Sequence, residues 1–246
     1  MICIQAITIG RIPALEIKLD AKDKKEPHYI VAYHGWTKSK DEDILMGIEL
    51  VKKGFHLILP DAPHHGQYKD DRENIDPYDF PKILLQAVED FKDIYEYIRE
   101  KGESKPHVSV CGISMGGIIS SLLLAKYPYI QAAGILMGTS HPYSFIIDLI
   151  HQQSEAEKLM THPQIIKLLD RIKDLDLSMN LNVLGKRKVF IWHAKNDAIV
   201  PVKYHAHFIN FLNSLDNPYA YKILIDENSG HKVPFSIFSQ LGEFLI

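Results

Sequence analysis

Continuous apolar, β-branched runs recur along the chain and alternate with stretches whose apolar positions fall three or four residues apart. Residues 2–9 and 12–19 predict two short strands, joined hairpin-fashion around Arg11-Ile12-Pro13. Further strands are expected at His28–Tyr33, Phe55–Leu59, Val108–Cys111, Ala132–Met137, Val189–Trp192 and Tyr221–Ile225. Unbroken apolar runs, as opposed to strict alternation, indicate strands covered on both faces. Between them, 41–53, 78–101, 115–126, 201–215 and 234–245 read as helices. The clearest is 78–101, with Ile83, Leu84, Ala87, Val88, Phe91, Ile94 and Ile98 along one stripe.

Strand–helix alternation implies a mainly parallel central sheet flanked by helices, an α/β architecture. On such sheets ligands bind beyond the carboxyl ends of the strands, so the residues following each strand carry the candidate chemistry. Residues 141–187 break the alternation. They carry short helical patterns at 143–150, 154–160 and 163–173 without a convincing strand, and are expected to be a plain helical connection or a cap-like insertion over a site. The apolar run Phe145, Ile146, Ile147, Leu149 and Ile150 is expected to pack on the core or to line a pocket mouth. The charged stretches 20–26 and 69–73 read as solvated loops.

A length of 246 residues suits one α/β domain, so 1–246 is read as a single unit. The chain is 46% hydrophobic and 24% charged, as in ordinary globular proteins, which excludes collagen-like, coiled-coil and disordered classes. With 28 basic and 31 acidic residues it has no basic excess for a nucleic-acid footprint. Two cysteines, Cys3 and Cys111, are too few for a disulfide framework and suggest a reducing compartment. Together with a start unlike a signal peptide and no apolar run of membrane-spanning length, this makes a cytoplasmic protein the expectation.

The sequence Gly112-Ile113-Ser114-Met115-Gly116 follows a strand and opens a helical stretch. A serine on so sharp a strand-to-helix turn is forced into a strained conformation that exposes its hydroxyl, as a nucleophile requires. Such a serine needs a base, and the base an orienting acid, in the chain order serine, acid, histidine. His231, in Ser229-Gly230-His231 after the 221–225 strand, is the base candidate. His193 ends a strand and is poorer, while His205 and His207 fall on an expected helix, at its surface or edge. Asp197, shortly after the 189–192 strand, is the acid candidate, with Asp226 as its rival. An oxyanion needs preorganised donors. The backbone N–H of Met115 is one candidate, and that of Trp36, in His34-Gly35-Trp36, is the other.

Together these residues resemble the α/β-hydrolase superfamily over essentially the whole chain. More narrowly, Tyr33-His34-Gly35-Trp36-Thr37, Pro60-Asp61-Ala62-Pro63-His64-His65-Gly66, the Ser114 motif and Trp192-His193 with Asp197 and Val200-Pro201 look like small bacterial carboxylesterases related to the prolyl-oligopeptidase group. The resemblance implies a serine esterase acting on a small-molecule ester with a short acyl chain, through an acyl-enzyme. Thioesterase, amidase or acyltransferase chemistry on the same triad is the alternative, and a non-catalytic binding protein of the same fold is a third class.

His64 and His141 are substrate-pocket candidates. Asp61, His64 and His65 match no zinc spacing, so no metal is expected. No phosphate-cradling glycine motif is present, so no cofactor is expected either. Cys111, inside a strand, reads as a buried apolar residue.

Overall fold

A computed structural model describes residues 1–20, 27–68, 79–101, 105–153, 155–215 and 220–246. The expected loop at 69–73, and 21–26 of the other charged stretch, lie outside the described residues. Among the described residues, eight strands form one sheet in the order β1-β2-β4-β3-β5-β6-β7-β8. β1 (Ile2–Ile9) and β2 (Ile12–Leu19) form the expected antiparallel hairpin, with Ile2 opposite Leu19. β2 also pairs antiparallel with β4 (Phe55–Pro60). From β4 through β3 (His28–Tyr33), β5 (His107–Ile113), β6 (Ala132–Leu136), β7 (Lys188–Ala194) and β8 (Tyr221–Asp226), every pairing is parallel.

Successive side chains of the central strands point to opposite faces, and both faces are dry. Tyr29, Val31, Tyr33, Val108, Val110, Ile135 and Ile191 enter one apolar cluster. Ile30, Ala32, Leu57, Leu59, Leu136, Phe190 and Trp192 enter the other. The first cluster is covered by α2 (Phe80–Glu100) and α3 (Met115–Lys126). The second is covered by α1 (Ile44–Lys52) and α8 (Ser236–Leu245). The apolar stripe of α2 is buried from Ile83 to Ile98, as its periodicity requires. Cys111 is fully buried in the second cluster, and burial pushes its thiol pKa up.

Between β6 and β7 the chain forms α4 (Pro142–His151), α5 (Ala156–Thr161) and α6 (Pro163–Asp174), followed by a 3-10 turn. α7 (Ala206–Ser214) follows a second 3-10 turn at Val202–His205. That turn corrects one expectation. His205 is fully buried, because its ring packs against that of His193 in β7 and is bonded to Ser140 Oγ at 3.1 Å. Among the described residues, no helix is long and apolar enough to cross a membrane.

The register fixes where the strands end. Tyr33 lies opposite Gly112, Ile113 opposite Leu136, and Leu136 opposite Trp192. Their following residues therefore emerge along one edge of the sheet.

Candidate active site

Ser114 follows β5 directly and caps α3 with φ 56 and ψ −115. β-Strand residues rarely turn this way without glycine, and two glycines make it possible. A Cβ on Gly116 would stand 1.9 Å from the Tyr33 carbonyl oxygen, and one on Gly112 would stand 2.4 Å from the carbonyl carbon of Gly116. The turn is thus clamped against β3, and the Ser114 hydroxyl projects at the start of α3. Its side chain makes no capping bond to that helix, which leaves it free for another partner.

That partner is His231. Its Nε2 lies 3.0 Å from Ser114 Oγ, and its Nδ1 lies 2.7 Å from Asp197 Oδ2. The fold thus brings together three residues that the sequence separates widely. The other carboxylate oxygen, Oδ1, accepts the amides of Ile199 at 2.9 Å and Val200 at 3.0 Å. Burial opposes ionisation of Asp197, but the bonds from His231 and those two amides outweigh it and hold the carboxyl below its ordinary value. His193, buried in β7, braces the same turn by donating from Nε2 to the Val200 carbonyl at 2.7 Å. Burial lowers the pKa of His193 and favours the neutral ring. Asp226, the rival acid, is spent elsewhere. It accepts the amides of Asn228 and Ser229 and the Ser229 hydroxyl, and so shapes the loop that carries His231.

The turn after β3 lies against Ser114, since a Cβ on Gly35 would stand 3.8 Å from Ser114 Cβ. The His34 ring sets its orientation. Nε2 accepts the Ala62 amide at 3.0 Å, so Nδ1 carries the proton and donates to the Gly35 carbonyl at 2.8 Å. A trans peptide is planar, so fixing the Gly35 carbonyl also fixes the Trp36 N–H at the opposite side of the same plane. Burial lowers the His34 pKa and preserves this neutral tautomer. The Met115 N–H lies in the first turn of α3, where the helix itself supplies no acceptor.

Asp61 organises the neighbouring loop. It accepts the Lys40 ammonium at 2.9 Å, the Lys40 amide at 2.9 Å and the Gln67 amide at 2.8 Å. Among the described residues, no three His, Cys, Asp or Glu side chains come together as a metal cluster.

A cavity of about 220 Å³ adjoins Ser114, with Trp36 and Met115 also in its wall. Phe80, Ile118, Phe145 and Leu149 contribute apolar surface. Neither His64 nor His141 lines it. His64 sits in the turn after β4 at φ 64. His141 precedes α4, and its Nδ1 is 2.8 Å from Asp176 Oδ2, a carboxylate that also accepts the Tyr143 amide. The apolar run on α4 does both things expected of it, since Phe145, Ile146 and Ile150 are buried and also border the cavity. Sequence reasoning missed Phe80 and Pro81 at the start of α2, for which no local signal exists.

A family model described as the alpha/beta hydrolase fold matches residues 29–160. The Bacillus subtilis (strain 168) protein named "Putative esterase YitV" is 28% identical over 95% of this chain and 94% of its own length. Esterase YjfP of Escherichia coli (strain K12) is 24% identical over 82% of this chain and 81% of its own. The crystal structure of TT1662 from Thermus thermophilus superposes with a TM-score of 0.77 at 18% identity, covering all of this chain and 97% of that one.

Proposed function

The chain belongs to the alpha/beta hydrolase fold family, and from that premise we propose that it is a serine carboxylesterase. The observation that carries the reading is the hydrogen-bonded line from Ser114 Oγ through His231 to Asp197. Two relatives over most of the chain bear esterase names, which supports the same reaction class.

In this reading Ser114 Oγ attacks the ester carbonyl as His231 Nε2 takes its proton. Asp197 holds the imidazole in the tautomer with Nε2 free and stabilises the imidazolium. The Trp36 and Met115 amides donate to the oxyanion, an interaction typically worth ~2.7–4 kcal/mol per donor. The tetrahedral intermediate collapses, the ester C–O bond breaks, and His231 returns the proton to the departing alcohol. Water then attacks the acyl-enzyme with His231 again as base, releasing the acid and restoring Ser114. The whole of 1–246 acts as one domain in this scheme, with 141–187 as a helical cap whose α4–α6 residues border the cavity.

The test is a fluorophosphonate, which reacts with an activated serine whatever the natural substrate. A single adduct mapped to Ser114, absent in Ser114→Ala, is expected. Ser114→Ala should also lose ester turnover by several orders of magnitude. Full turnover by Ser114→Ala refutes the assignment. A panel of matched oxygen esters, thioesters and anilides separates an esterase from a thioesterase or amidase. Folded protein that neither labels nor turns over any of them supports a binding role.

A further inference from the structure

The cavity also bears on which acid the substrate carries, an inference that rests on the serine-esterase reading. The leaving alcohol takes its proton from His231 Nε2 and therefore departs on the His231 side of Ser114. His231 does not line the cavity, whereas Ser114, Met115 and Trp36 do. The cavity thus occupies the acyl side of the reacting carbon.

Its size and chemistry are specific. An apolar cavity of ~150 Å³ holds benzene, so about 220 Å³ gives room for roughly nine carbon-sized atoms. Among the described residues that line it, none is charged, and Phe80, Ile118, Phe145, Ile146 and Leu149 make the wall apolar. An acetyl group leaves most of that wall without a partner, and a carboxylate-bearing acyl group loses its hydration there with nothing to replace it.

We propose that the acyl group taken by this site is an uncharged, medium-length fatty chain, hexanoyl to decanoyl, in place of the short acyl group implied by the family resemblance. α4, α5 and α6 set the length limit, since Leu149, Leu159 and Ile165 on these three helices border the cavity. Each methylene that becomes fully buried contributes roughly a fourfold gain. Six methylenes separate acetyl from octanoyl, so even partial burial gives octanoate at least about a hundredfold advantage in kcat/KM.

The experiment compares p-nitrophenyl acetate, butyrate, octanoate and laurate with the hemisuccinate, on the wild-type chain. The expected result is a maximum at octanoate with the hemisuccinate far below butyrate. Acetate turned over as fast as octanoate overturns the proposal, as does hemisuccinate matching butyrate. Leu149→Trp should lower the octanoate-to-acetate ratio at least tenfold, and Leu149→Ala should move the maximum toward laurate, with thermal melts confirming the fold. An unchanged ratio in both variants counts against the cavity as the acyl site. If no ester turns over, inactivation by ethyl- and octyl-phosphonate p-nitrophenyl esters reads the same preference. Faster labelling of Ser114 by the octyl reagent supports it, and equal or slower labelling overturns it. Failure of both reagents to label Ser114 removes the esterase reading, and the acyl assignment with it.

Discussion

Replacing Asp197 with asparagine tests the proposed triad and separates the proposed acid from its rival. Asp197 Oδ1 accepts two backbone amides, while Oδ2 faces His231 Nδ1 at 2.7 Å and lies 3.5 Å from His193 Nε2. An asparagine keeps the two amide bonds only by placing its oxygen at the Oδ1 position. Its NH2 then occupies the Oδ2 position and points a donor at His231 Nδ1. The ring responds by moving its proton to Nε2, where it faces Ser114 Oγ as a donor and has no lone pair to accept the serine proton. The opposite amide rotamer rescues the imidazole but leaves two amides facing NH2, and it also loses their bonds, each typically worth ~0.5–1.5 kcal/mol. The first rotamer therefore prevails. A wrong tautomer of this kind costs ~10⁴ in kcat in serine proteases, so Asp197→Asn should lose roughly 10³–10⁴-fold, or about 4–5.5 kcal/mol of transition-state stabilisation. Asp226→Asn keeps its amide bonds through its own oxygen and faces no imidazole, so its loss should stay within about threefold. The assay is kcat/KM on a p-nitrophenyl ester, with thermal melts for both variants. Asp226→Asn losing as much as Asp197→Asn, or Asp197→Asn keeping more than a tenth of wild-type activity while folded, refutes the argument.

Two further predictions concern stability. Lys40 and Asp61 form a buried pair at 2.9 Å, and Lys40→Met leaves the carboxylate with two amides and no counter-ion. Urea unfolding should show a loss of ~3–5 kcal/mol, partly recovered by adding Asp61→Asn, and a loss below about 1 kcal/mol contradicts this account. Burial holds the pKa of His205 at about 3 and that of half-buried His28 at about 3, against an ordinary value of 6.5. The unfolded chain then binds the extra protons, so this contribution is complete above pH 6.5 and is lost as pH falls from there toward 3. The slope reaches roughly 1.4 kcal/mol per pH unit for His205. Urea midpoints that stay constant from pH 7.5 to 4.5 are inconsistent with it.

Much of the fold is legible because its central strands are buried on both faces and so read as unbroken β-branched runs. The Ser114 turn is legible because its cause is local. Gly112, Ser114 and Gly116 lie within five residues, and the close approach to Tyr33 forbids side chains at both glycines. The end of β5 is less legible. The strand runs two residues beyond Cys111, since Gly112 pairs with Tyr33 and Ile113 with Leu136, and a glycine gives no side-chain cue that the ladder continues. His141 shows the opposite limit. Its position after β6 predicts a place in the pocket, but its ring is drawn to Asp176, a partner 35 residues away.

The two halves of the candidate site therefore differ in how they are encoded. The proposed reacting groups follow strand ends, and a parallel sheet in register delivers strand ends to one edge whatever the connections between them do. Chain order and a short motif are then enough to single out Ser114, Asp197 and His231, the three side chains that the fold joins by hydrogen bonds. The cavity has no such shortcut. Its wall joins Trp36 after β3, Phe80 at the start of α2, Ile118 on α3 and Leu149 on α4, elements related only through packing. An apolar residue in a helix looks the same in sequence whether it fills the core or lines the cavity. The family resemblance carried the reaction and a short acyl group together. Only the second depends on the 141–187 segment, and substitutions at Leu149 should therefore change the preferred acyl length without changing the reaction.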